Sequence, residues 1–132
     1  MSLNIQLSPH FKLTEFLHTN VDGGIKSNIE YLQQNFETFL PRLSRLASIL
    51  DNFRSFCGTP VVVSSGLRSP MVNRQVGGVP NSRHQFANAV DIVLNNNWDL
   101  TKIILYLDDL RTSKVINYYY VNKVKKFIHI QI

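Results

Sequence analysis

The sequence predicts an α+β fold in which N-terminal helices pack on a small, mainly antiparallel sheet. Three observations predict it. Apolar residues recur at helical spacing between Ile29 and Phe53. Short β-branched runs follow at 60–64, 88–94 and 126–132. Helices come first and most strands later, which is the order of segregated layers and not of alternating parallel units. A chain of 132 residues suits one domain, 1–132, with one core.

The elements follow in order. Ser8-Pro9, then Lys12-Leu13-Thr14-Glu15-Phe16-Leu17, predict a short helical turn, and Asn20 to Lys26, with Asp22-Gly23-Gly24, a loop. Ser27 or Asn28 is expected to cap a helix starting at Ile29, with Leu32, Phe36, Phe39 and Leu40 on one face. Pro41 is expected to break or kink it. A second helix is expected from about Arg42 to Phe56, striped by Leu43, Leu46, Ala47, Leu50 and Phe53, with Gly58 as its stop. Pro60 to Ser64 reads as a strand. Residues 66–82 form a long connection with one helical turn near Val72 to Val76, and long ordered connections in small domains often carry function. Asn88 to Leu94 is a strand, Asp99 to Leu110 a helix, and Val115 to Tyr120 and Lys126 to Ile132 are the last two strands.

Composition narrows the chemistry. The one cysteine, Cys57, allows no intrachain disulfide and no cysteine cluster for a metal, so any metal site must use His and carboxylate. No apolar run approaches the roughly 18 residues of a membrane span. The opening MSLNIQLSPHF lacks the basic and apolar regions of an export signal. The net charge of +5 favours an anionic partner, but the basic residues are scattered, with only Lys123, Lys125 and Lys126 clustered. No stripe of interleaved aromatic and basic residues supports specific nucleic-acid binding.

Side-chain alternation singles out a site. Val90, Ile92 and Leu94 share one strand face, and Ala89, Asp91 and Val93 the other. In the last strand Ile128, Ile130 and Ile132 oppose Phe127, His129 and Gln131. If the two strands are neighbours, Asp91 and His129 converge on the non-core face, and His84 reaches them from the preceding loop. Two imidazoles and one carboxylate form a common catalytic zinc set with a fourth position left open. An alternative is that Asp91 pairs with Arg68, Arg74 or Arg83, since a buried carboxylate must find some partner.

The stretch SSGLRSPMVNRQVGGVPNSRHQFANAVDI, residues 64–92, together with Phe127-Ile128-His129-Ile130, resembles the zinc D-Ala-D-Ala carboxypeptidases, the M15 peptidases, and their short single-domain bacterial and phage members in particular. The N-terminal LSPHFKLTEFL resembles the opening of those short members. The resemblance implies zinc held by His84, Asp91 and His129. It implies that Arg68 steadies the substrate carbonyl or its oxyanion, and that Ser82 holds substrate or the ligand loop. It implies the fold shared with the hedgehog signalling domain, and hydrolysis of peptidoglycan stem peptides. The chain is expected to act as a monomer with no transmembrane segment. Location is left open: the substrate lies outside the cytoplasm, and a phage-encoded enzyme released at lysis fits the missing signal.

The chain departs from the family pattern at three places. Ala87 replaces a glycine, Leu67 replaces a tyrosine, and Ser113-Lys114 align where an acidic residue is expected near the last strand. No acid follows Asp109, so the general base is Asp108 or Asp109 reached by a local shift, or a different group, or is absent. The alternative is a catalytically weak or inactive zinc-binding module that recognises cell-wall peptides or a protein partner.

Overall fold

The computed structural model describes residues 3–132. Met1 and Ser2, which open the segment read for an export signal, lie outside the described residues. A short hairpin, β1 (Gln6–Ser8) and β2 (Phe11–Lys12), leads into a 3-10 turn at Leu13–Phe16. Phe11, Leu13 and Phe16 are fully buried, which fixes this turn against the rest of the domain.

The first helix, α1 (Gly24–Gln34), begins before the expected Ile29, and neither Ser27 nor Asn28 caps it. Gly23, at φ +69°, makes the left-handed turn that starts it. Asn28 is instead a buried tie between two loops. Its Nδ2 donates to the Leu17 carbonyl at 3.0 Å, and its Oδ1 accepts from the Ser69 amide at 2.8 Å. Ser27 and Ser69 share a hydroxyl hydrogen bond of 2.6 Å beside it. Asn28→Ala therefore leaves a buried carbonyl and a buried amide unpaired. Chemical denaturation should show a loss of about 2–4 kcal/mol, from about 1–3 kcal/mol for each orphaned group less some relaxation.

The expected break at Pro41 does not occur. The helical chain turns at Asn35, whose Nδ2 donates to the Tyr31 carbonyl at 2.9 Å, and α2 runs from Phe36 to Cys57 with Pro41 inside it. Pro41 and Glu37 are both exposed, so the Glu37 carbonyl left without an amide partner faces water. Gly58 ends α2 as expected, at φ +69° with its amide on the Arg54 carbonyl.

Strands β3 (Val63–Ser65), β4 (Ala89–Val93), β5 (Tyr118–Asn122) and β6 (Phe127–Gln131) form one antiparallel sheet in the order β3-β4-β6-β5. β5 starts later than the expected Val115, because the amides of Val115 and Ile116 donate to the Leu110 carbonyl at the end of α4. Two helices complete the fold: α3 (Pro70–Gln75), capped by Ser69, and α4 (Leu100–Thr112), capped by Asp99. Val90, Ile92, Ile128 and Ile130 have no exposed surface. They join Leu43, Leu46, Leu50 and Phe53 of α2 and Ile103 and Leu107 of α4 in one core. The structure is thus α+β, with helices on the inner face of the sheet. No helix among the described residues is long and apolar enough to cross a membrane.

Candidate metal and active site

The sheet register brings the predicted ligands together. Asp91 of β4 lies directly opposite His129 of β6, both on the outer face. His84 sits in a 3-10 turn, Arg83–Phe86, that leads into β4. Its Nε2 lies 3.2 Å from Asp91 Oδ1, and His129 Nδ1 lies 2.7 Å from the same oxygen. One ligand atom from each of the three lies within 4.8 Å of the others, and all three residues are buried.

The far side of each ring is also held. His84 Nδ1 lies 2.8 Å from the Gly66 carbonyl, and His129 Nε2 lies 2.8 Å from Gln131 Oε1. A carbonyl only accepts, so His84 Nδ1 must carry the proton. Burial lowers the pKa of His84 and favours the neutral ring, and the Arg68 charge pushes in the same direction, against the hydrogen bond and charge of Asp91. A neutral His84 then turns a bare Nε2 lone pair towards a carboxylate oxygen. A proton or a cation must then lie between these two acceptors, which are 3.2 Å apart. For Asp91, burial raises the pKa, but hydrogen bonds and charge from His129 and His84 outweigh it and hold the carboxyl below its usual range. The donor set therefore fits a cation, with the ring orientations fixed from behind as metal-binding imidazoles usually are.

Glycine explains how the Gly66 carbonyl reaches His84. A Cβ at Gly66 would lie 2.5 Å from the Phe16 carbonyl oxygen, and the Leu67 amide donates to that same oxygen at 2.8 Å. The connection is thus pressed against the N-terminal turn. Gly66→Ala should push its carbonyl off His84 and weaken metal affinity by about 10- to 100-fold, the range for disturbing a partner behind a ligand. Competition with a chromophoric chelator measures it, and unchanged affinity would contradict this role for Gly66.

Arg68 stands beside the set and is held from three directions. Its Nε donates to Ser65 Oγ at 3.1 Å, Nη1 to Asn73 Oδ1 at 3.3 Å and Nη2 to Asp91 Oδ2 at 3.4 Å. Burial lowers its pKa and Asp91 opposes this, but an arginine stays charged throughout. The absent side chain of Gly78 leaves the room that Asn73 needs to reach Arg68. Ser82 turns inward: its Oγ accepts from the His84 amide at 3.2 Å and so caps the ligand turn.

Two of the family departures have physical accounts. Ala87 sits at φ +57°, the left-handed conformation expected to strain it. Its methyl is fully buried. A left-handed alanine costs about 1–2 kcal/mol, and a buried methyl-sized group returns about 0.8 kcal/mol, so the net cost is small. Leu67 is fully buried and packs into the core.

The acid candidates are not brought to the site. Asp108 accepts from Tyr119 at 2.5 Å and from Arg111 at 3.0 Å. Tyr119 points to the opposite face from Tyr120, whose ring stacks on His129 at 4.9 Å between centroids. Asp109 is exposed on α4, and Ser113 bonds back to the Asp109 carbonyl. The expectation that Asp108 or Asp109 reaches the ligands by a local shift is therefore corrected: α4 lies behind the sheet. Among the described residues Asp91 is the one acid lining the cleft of about 600 Å³ that holds the candidate ligands, which Arg68, Ser82, Tyr120, Lys125 and Gln131 also line. Asn73 and Tyr120 went unread as site residues, because their roles depend on the loop path and on the β5–β6 register.

A small α+β domain with one imidazole-carboxylate-imidazole set in a surface cleft defines a class of protein able to hold a cation with a coordination position to spare. The model of the Peptidase M15 family matches residues 9–131. The chain belongs to this peptidase family. No curated protein matches it.

Proposed function

We propose that the protein is a zinc-dependent peptidase that hydrolyses peptide bonds in peptidoglycan stem peptides, as a D-Ala-D-Ala carboxypeptidase or a cell-wall endopeptidase. The observation that carries this reading is the convergence of His84 Nε2, Asp91 Oδ1 and His129 Nδ1 in a cleft beside a fixed arginine. Zinc bound there would lower the pKa of a bound water and polarise the scissile carbonyl. His84, Asp91 and His129 hold the ion. Ser82 keeps the ligand turn in place through the His84 amide. Arg68 has five N–H donors, and its three hydrogen bonds leave two to meet a substrate oxygen as charge develops on it. One chain supplies every ligand, so the proposed working unit is the monomer. The proposed place of action is the cell wall, in the periplasm or outside, which a phage-encoded enzyme reaches at lysis.

One observation favours a second reading, a zinc-binding module without turnover: among the described residues the cleft holds no carboxylate besides Asp91. A stem pentapeptide ending in D-Ala-D-Ala separates the two. The first reading expects cleavage products that disappear with a chelator and return with zinc. Zinc-loaded protein that binds the peptide and releases nothing would select the second.

A further inference from the structure

The cleft is basic in a way that the ligand set does not explain. Apart from Asp91, the cleft is formed by residues 66–84 and 118–131, which contain no Asp or Glu. Three cations line it: Arg68, Arg83 and Lys125. Arg68 is occupied by Ser65, Asn73 and Asp91. Arg83 and Lys125 are both exposed, and among the described residues neither side chain has a hydrogen-bond or ion-pair partner. They come from separate segments, Arg83 from the ligand turn and Lys125 from the β5–β6 turn. That turn is rigid where it carries Lys125: Asn122 Oδ1 accepts from the amides of Val124 and Lys125 at 3.1 and 2.9 Å. Its neighbours Lys123 and Lys126 add positive charge and no acid offsets them.

We propose that Arg83 and Lys125 are specificity-determining residues that recognise a second carboxylate on the substrate, two or three residues from the scissile bond. The spacing follows from the strand. Phe127 lies about 7 Å from His129 along β6 at about 3.3 Å per residue, and Lys125 lies beyond it. An extended substrate advances by a similar step, about 3.3–3.6 Å per residue. A carboxylate at that distance meets Lys125, while the scissile carbonyl lies at the ligands. Two unpaired, exposed cations at the cleft bind such a group more tightly than a neutral amide, and salt weakens the preference. The inference rests on the cleft being the peptide site proposed above. It narrows the substrate class to peptides with an internal acidic residue.

Calorimetric titration of zinc-loaded protein tests it without requiring turnover. The probes are two N-acetylated pentapeptides ending in D-Ala-D-Ala, one with a free internal Glu carboxyl and one with that carboxyl amidated. The terminal carboxyl stays free in both. Wild type should bind the free acid about tenfold more tightly, the scale of a charge-assisted hydrogen bond. Lys125→Ala and Arg83→Ala should each erase most of that difference while binding the amidated peptide as wild type does, and Lys125→Arg should retain it. Equal binding of both peptides by wild type would overturn the inference and leave the peptide site standing. Binding of neither would overturn the peptide site and the inference with it. A preference that survives both alanine substitutions would also overturn it.

Discussion

His84→Ala is expected to lose zinc affinity by well over about a hundredfold while the domain stays folded. The comparison is with changes behind a ligand, which cost about 10- to 100-fold, and removing the ligand atom itself must cost more. The fold should survive because His84 is in a short turn on the outer face of the sheet, whereas the core is formed on the inner face by Val90, Ile92, Ile128 and Ile130. Without the ring, the Gly66 carbonyl loses its donor and Asp91 keeps only one of its two imidazole neighbours. Competition with a chromophoric chelator gives the affinity, and circular dichroism reports the fold. Wild-type affinity in a folded His84→Ala protein would remove His84 from the ligand set.

Arg68→Ala carries the second large effect, and it should act on rate more than on metal. Arg68 touches Asp91 at 3.4 Å, a longer contact than either histidine makes, so zinc content should stay near wild type. Loss of a fixed donor aimed at a developing oxyanion costs about 10²–10³ in kcat. Arg68→Lys should not rescue it. An ammonium cannot hold Ser65, Asn73 and Asp91 in three directions and still offer donors to a substrate. The readouts are zinc per chain together with kcat and KM on a stem peptide. An unchanged kcat would take Arg68 out of the reaction and leave it as a brace for the loop.

The convergence of the candidate ligands was legible because a sheet imposes a period of two. Asp91 between Val90 and Ile92, and His129 between Ile128 and Ile130, each interrupt an aliphatic run on alternate residues, so each must lie on the face away from the core. The register that puts them opposite each other is a property of pairing and of no single segment. The stripe of α2 and the stop at Gly58 were legible for the same reason, being periodic and local. The start of α1 was not. Gly23 and Gly24 look like a loop in sequence, and here the first glycine makes a left-handed turn while the second begins the helix. Pro41 does not end α2, because the one amide it removes leaves the carbonyl of Glu37, an exposed residue, open to water. The β1–β2 hairpin is too short to carry a period. Tyr120 and Lys125 became site residues only through the β5–β6 hairpin, which lays Tyr120 across from His129.

The central claim is that Asp91 sits in an aliphatic strand because it binds a metal with two imidazoles. Zinc per chain, measured by elemental mass spectrometry on purified wild-type protein, tests it most directly. The account predicts one equivalent, lost on dialysis against a strong chelator and regained on adding zinc. No zinc after adding it back would contradict the account, and would leave Asp91 as the partner of Arg68, His84 and His129 alone.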